Sequence, residues 1–136
     1  PNWKIYSRNP VMPPQYVAKG ATVQNSLVAE GCSVYGDIDF AVLFAGAYIA
    51  PGAVVKDSII MPGARVEEGA VVQYAIVSEN TVIGAGAKVG ARPEDIENKD
   101  EWGVAVVGAN TTVAPGAVVP PKAMVEEGIT YEEGTK

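Results

Sequence analysis

Few side chains in this sequence are of a type that breaks or makes bonds. Its only thiol, Cys32, is a potential nucleophile, but a reactive thiolate needs a basic neighbour, and no basic residue stands near it in the sequence. Adjacent carboxylates at Glu67-Glu68 and Glu126-Glu127 are the residue type of an acid/base pair. Each pair directly precedes a glycine, Gly69 or Gly128, which puts it on the solvated outer side of a turn. The stretch Gly84-Ala85-Gly86-Ala87-Lys88-Val89-Gly90 looks like a dinucleotide loop, yet no helical periodicity follows it, so its glycines read as turn residues. The Asn110-Thr111-Thr112 sequon carries no weight without a secretory signal. There is no histidine, which excludes a Ser-His or Cys-His pair, a His zinc site and a His general base within the chain. No catalytic, cofactor-binding or metal-ligating residue is assigned.

What the chain does carry is a period. Leu43, Ile60 and Val77 are 17 residues apart, as are Ile49, Val66 and Ile83, and Val55, Val72 and Val89. A fixed period of this length means a solenoid, in which each short unit buries its apolar face only against its neighbours. Within the period the aliphatic positions step by 6, 6 and 5 residues from Ile49 to Val89. The rhythm begins at Val17, Val23, Val28 and Val34, shortens through Ile38, and resumes after an interruption at Val107, Val113, Val119 and Val125. Eighteen such positions, read as three corners per coil, predict about six coils.

A second register supports the first. Two residues before almost every aliphatic position the side chain is small, as at Cys32, Gly36, Ala53, Ser58, Ala70, Thr81, Ala87 and Ala117, which marks a crowded inward slot. One residue earlier again, at most six-residue steps, stands Gly or Asn, types that tolerate positive φ and mark bends. Three flat strands per coil, each pairing in parallel with the coils above and below, would satisfy the backbone along the stack. The crossover rule alone would make these connections right-handed.

The chain's totals narrow the function classes. Its 136 residues, 48% of them hydrophobic, are of single-domain size, and no apolar run approaches a membrane span. A net charge of −6 with 10 scattered basic residues argues against a nucleic-acid partner. A lone cysteine fits a reducing compartment, which predicts a cytoplasmic protein. The start at Pro1-Asn2-Trp3, with neither Met nor a signal-peptide pattern, reads as a piece of a longer protein.

Units such as Gly52-Ala53-Val54-Val55, Gly69-Ala70-Val71-Val72 and Gly116-Ala117-Val118-Val119 resemble hexapeptide repeats, a family whose fold is a left-handed parallel β-helix. More particular are Trp3-Lys4-Ile5-Tyr6, Pro13-Pro14-Gln15-Tyr16, Asn25-Ser26-Leu27-Val28-Ala29-Glu30-Gly31-Cys32 and Val42-Leu43-Phe44-Ala45-Gly46. With Lys56-Asp57-Ser58-Ile59-Ile60-Met61-Pro62 and Ala75-Ile76-Val77-Ser78-Glu79-Asn80, in this order, they resemble the C-terminal domain of bacterial glucose-1-phosphate adenylyltransferases over roughly residues 3–128. The resemblance implies a parent enzyme that uses ATP and magnesium in an N-terminal catalytic domain, with a helix domain that contributes to tetramer contacts and to an effector cleft. Some members carry effector-contacting lysines where this chain has Glu79 and Ala114, so no regulatory residue is carried over.

The expected organisation is an extended linker over 1–16, a β-helix over 17–128 with an excursion at 91–104, and an acidic tail over 129–136. Trp3, Ile5 and Tyr6 would pack on the helix side or on the missing domain, and Trp102 would anchor the excursion over part of one face. The expected role is an oligomerisation and regulatory domain, inactive by itself, whose partners are the catalytic domain and other subunits. A hexapeptide acyltransferase is the enzyme-class alternative, disfavoured by the missing histidine, and the helix domain of another sugar nucleotidyltransferase is a second.

Overall fold

A computed structural model describes residues 16–97, 100 and 102–132; the expectations for residues 1–15 of the linker, among them Trp3, Ile5 and Tyr6, and for the last four residues lie outside them, while Tyr16, the last residue of the expected linker, is already in the first strand. Within that span, strands of two or three residues alternate with tight bends, and every third strand returns to the same sheet. The first sheet runs from β1 (Tyr16–Val17) to β19 (Thr130–Tyr131) and has seven strands. The second runs from β2 (Thr22–Gln24) to β17 (Val118–Val119) and the third from β3 (Leu27–Val28) to β18 (Met124–Val125), with six strands each. All recorded neighbours are parallel, so the chain is an all-β parallel solenoid of about seven turns. The expected six coils fall short because Thr130–Tyr131, in a stretch without aliphatic periodicity, adds a further strand on Thr112–Val113. Its Tyr131 continues the inward column above Val113, and the hydroxyl donates to the Val118 carbonyl oxygen at 3.0 Å across the last coil.

The 17-residue period is realised as register. Ile38 pairs with Val55, Val55 with Val72, Val72 with Val89 and Val89 with Val119, all buried. Each such side chain contributes roughly 1.5–3 kcal/mol relative to exposure. The aliphatic residues are not themselves the corners: Val55 sits on β8 (Val54–Lys56), and the bend lies three residues earlier at Pro51-Gly52. The small positions are buried beside them, and their hydroxyls are paired. Ser58 donates to the Lys56 carbonyl oxygen at 2.7 Å and accepts from the Ala75 N–H at 3.1 Å; Thr81 donates to the Gly108 carbonyl oxygen at 2.7 Å.

Left-handed residues make the bends between the second and third sheets at Asn25, Phe40, Asp57, Tyr74 and Lys122, with φ of 48°, 52°, 51°, 47° and 68°. Only the first was foreseeable from a Gly/Asn pattern, because a left-handed L-residue costs roughly 1–2 kcal/mol. Here the bend is held from outside its own residue: the Phe40, Asp57 and Tyr74 N–H groups donate to the Gln24, Asp39 and Lys56 carbonyl oxygens of the coil below, at 3.2, 3.0 and 3.1 Å.

One coil is short. From Val34 to Ile38 the ladder steps four residues, so the first-to-second-sheet bend loses its usual turn. Gly36 makes this possible: a Cβ there would meet the Ala53 and Ala50 carbonyl oxygens at 2.4 and 2.7 Å, inside contact distance.

Adjacent isoleucines test the register. Ile60 points into the prism and is fully buried, whereas Ile59 faces out on the same strand. Ile60→Ala is expected to lower the stability of the chain by about 2–5 kcal/mol in urea unfolding and Ile59→Ala by well under half as much; equal losses would contradict the inward assignment.

Candidate functional site

The prism interior leaves no space for chemistry, and the thiol within it is structural. Cys32 is 1% exposed, and its Sγ lies 3.0 Å from the Phe44 carbonyl oxygen. Burial pushes its pKa up, which disfavours the thiolate a nucleophile requires. The carboxylate pairs stand outside: Glu67 is held by Arg65 Nε at 3.1 Å, and Glu126 and Glu127 are exposed. Among the described residues no group of three His, Cys, Asp or Glu side chains comes together.

The Gly84–Gly90 stretch forms strand and turn. Gly84 is pressed against the next coil, where a Cβ would lie 2.6 Å from both Pro115 N and the Val113 carbonyl oxygen. That packing leaves no cradle for a phosphate at Gly84.

The excursion is built onto the second-to-third-sheet bend, in line with Tyr74. It leaves the stack at Gly90, whose φ of 76° and approach to the Gln73 carbonyl oxygen admit no side chain. A 3-10 turn, Pro93–Asp95, follows, with Arg92 bonded to both oxygens of Asp95 at 3.1 Å. Trp102 closes it: Nε1–H donates to the Ala91 carbonyl oxygen at 2.7 Å, and the indole meets Tyr74 edge-on at 5.4 Å. The expected anchoring by Trp102 is what the structure shows. Arg92 and Asp95 then wall a cavity of about 230 Å³ over Val54, Lys56, Val71 and Gln73 of the second sheet. A second cavity of about 250 Å³, lined by Thr22, Gln24, Asp37, Ile38, Asp39, Val54 and Lys56, adjoins it.

The third sheet's outer face is different in kind. Its outward column reads Leu27, Val42, Ile59, Ile76, Val106 and Met124, apolar at every rung, with each pair in register. Leu27 is 70% and Met124 79% exposed, and Phe40 at the adjoining corner is 60% exposed. Alternation along the strands hid this column from the sequence reading, since Ile59-Ile60 and Ile76-Val77 look alike until one of each pair is seen to face out. On the first sheet, by contrast, Tyr35 sits between Tyr16 and Tyr48 at ring distances of 5.6 and 5.7 Å, and the Arg65 guanidinium caps Tyr48 at 4.2 Å.

Two outcomes check these assignments. Cys32 should react with a thiol reagent such as DTNB at least 100-fold more slowly in the native chain than in urea, and rapid native labelling would refute its burial. Trp102→Ala should open the 91–104 segment to proteolytic cleavage while the β-sheet circular dichroism stays unchanged, because the indole's contacts are confined to the loop's base.

The sequence was compared with known proteins. A family model described as GlmU-like, C-terminal hexapeptide matches residues 13–106. A glucose-1-phosphate adenylyltransferase of Acetivibrio thermocellus is 35% identical over 138 residues, covering 98% of this chain and 32% of that protein. One from Bacillus mycoides is 46% identical over 93 residues, covering 68% of this chain and 24% of that protein. The chain thus spans about a third or less of the length of these relatives, and it corresponds to their C-terminal β-helix region. Among solved structures, a putative acetyltransferase from Desulfovibrio desulfuricans G20 superposes with a TM-score of 0.65 at 12% identity, over 87% of this chain and 27% of that one, a likeness of fold. Hexapeptide register, parallel solenoid and family match agree: the chain belongs to the GlmU-like C-terminal hexapeptide family and is similar to the β-helix region of glucose-1-phosphate adenylyltransferases.

Proposed function

We propose that this chain is the assembly domain of a glucose-1-phosphate adenylyltransferase subunit, a β-helix that docks the catalytic domain and neighbouring subunits. In this reading the parent transfers adenylyl from ATP to glucose 1-phosphate with magnesium, in the cytoplasm and for glycogen synthesis, and the chemistry resides outside these residues. The regulatory role of the helix belongs to the same reading.

The observation that carries it is the outward aliphatic column of the third sheet. A solvated outer face normally alternates to polar residues, and a continuous apolar strip of this kind, half-buried along its middle and exposed at Leu27 and Met124, marks an interaction surface. Six rungs at roughly 4.8 Å give a strip on the order of 24 Å long. The strip runs straight because β-branched and aliphatic residues stack in register on successive coils. Similarity to the C-terminal part of longer adenylyltransferases supports a partner of that class.

The test is reconstitution. The chain is mixed with the separately expressed nucleotidyltransferase portion of a parent subunit, and mass and ADP-glucose synthesis are followed. The chain alone should be inactive, and the mixture should associate. The variant Ile59→Glu/Ile76→Glu should keep its fold, since both side chains face outward, and lose association by at least tenfold. ADP-glucose synthesis by the isolated chain, or undiminished association of the variant, would overturn the proposal.

A further inference from the structure

The apolar column of the third sheet has a symmetry of its own. From one end it reads Leu27, Val42, Ile59, Ile76, Val106 and Met124. From the other end the sizes repeat: a long side chain, a valine and an isoleucine, then an isoleucine, a valine and a long side chain. The centre lies between Ile59 and Ile76, which are neighbours in register. Leu27 and Met124 at the ends are exposed, and the four rungs between them are half-buried. Burial inside the prism makes no such demand on outward positions, so the order of sizes has another origin.

The flanks follow the same centre. Two residues before Val42 stands Phe40, 60% exposed, and two before Val106 stands Val104, 46% exposed. Both lie on one edge of the sheet, each a single rung in from an end. On the other edge Phe44, 41% exposed, stands two residues after Val42, and Gly108, with no side chain, stands two after Val106. No charged edge residue has a like charge at the symmetric position: Glu126 corresponds to Ala29, Lys122 to Asn25 and Asp57 to Tyr74. The excursion turns Arg92 and Asp95 over the second sheet, away from this face. We propose that the strip is a two-fold contact between two copies of this chain, lying face to face with their long axes reversed, about an axis that runs along the strand direction between Ile59 and Ile76.

A closed two-fold contact uses the same patch on both subunits, so each residue must suit the one at its symmetric position. Under this operation Leu27 meets the second copy's Met124, Val42 its Val106 and Ile59 its Ile76. Phe40 meets Val104, and Phe44 comes over the gap at Gly108. Asp57 meets the phenol Tyr74. Pairing with the axes aligned would instead set Asp57 against Met61 and Phe40 against Phe44, desolvating a carboxylate on an apolar side chain and crowding two rings. Its one gain, Lys122 against Glu126 at the last rung, is an exposed pair of little worth. A partner of another sequence would not require the column to read alike from both ends, and that selects a second copy. Six rungs with the row on either side make a face roughly 24 Å by 16 Å, on the order of 1,000 Å² of accessible surface over two copies, at the lower bound for a specific contact. The pair is therefore weak, with a Kd on the order of 10–100 μM. It rests on the assembly reading in taking the strip as an interface, and it names the neighbour and the register.

The experiment is sedimentation equilibrium of the full chain from about 5 to about 500 μM, a range that brackets the expected Kd. The mass should rise from 14.1 kDa towards twice that value and stop there. Ile59→Lys and Ile76→Glu should each weaken self-association at least tenfold, with unchanged circular dichroism because both side chains face outward. An equimolar mixture of the two variants should recover most of the loss, since reversed axes place the new lysine opposite the new glutamate. On mild oxidation, a mixture of Leu27→Cys and Met124→Cys chains should form the mixed disulfide in preference to either homodisulfide, while the buried Cys32 stays out of reach. A monomer throughout the range, growth beyond the dimer, no recovery in the mixture, or preferred pairing of Leu27→Cys with itself would overturn the reversed pairing. All of these readouts use the chain alone. A chain that dimerises in this way but does not associate with the nucleotidyltransferase portion therefore sinks the assembly reading and keeps the pairing, and the converse sinks only the pairing.

Discussion

Every other feature depends on the parallel stacking of one coil on the next. A strand of two or three residues cannot satisfy its own backbone or bury its own side chains. Placed on an identical strand one period away, it does both: the N–H of each rung finds the carbonyl of its neighbour, and Val55 lies on Val72, which lies on Val89. The inward slot beside each aliphatic residue is filled by the neighbouring corner, which is why it holds Ala, Ser, Thr or Cys. Where the side chain there is polar, its hydroxyl is bonded to a carbonyl oxygen, as Thr81 is to Gly108. Close packing of this kind leaves the interior complete and chemically inert.

An inert interior moves function to the faces, and the three faces are not equivalent. The first carries a tyrosine stack capped by Arg65, whose groups largely contact one another. The second carries the cavity over Asp37 and Asp39 and the Trp102-anchored loop. The third is apolar from Leu27 to Met124. The adenylyltransferases that the chain matches are about three or more times its length. Both departures from regularity, the short step at Gly36 and the excursion at Gly90, fall where they modify the second face.

How much of this was legible follows from which physical constraint each feature obeys. The solenoid, the inward positions and the structural character of Cys32 were readable because burial acts on residue type, and burial recurs every 17 residues. The last strand was not, because Thr130–Tyr131 is recruited by pairing with Thr112–Val113 and closed by a tyrosine hydroxyl, without the aliphatic signature. The bends at Phe40, Asp57 and Tyr74 escaped for a related reason: their left-handed backbone is held by hydrogen bonds from the coil below, so their own propensities are overridden.

The amino-acid sequence by itself determined the period, the core and the absence of histidine chemistry, since these depend only on which residue types recur at which spacing. It also carried the family, through ordered blocks that the comparisons match. The tertiary structure alone decided the surfaces. Which of Ile59 and Ile60 faces out, that Asp37 and Asp39 line one cavity, and that Trp102 closes on Tyr74 depend on residues that stacking brings together from different coils. Period constrains what is inside; only the registered stack determines what lies side by side outside.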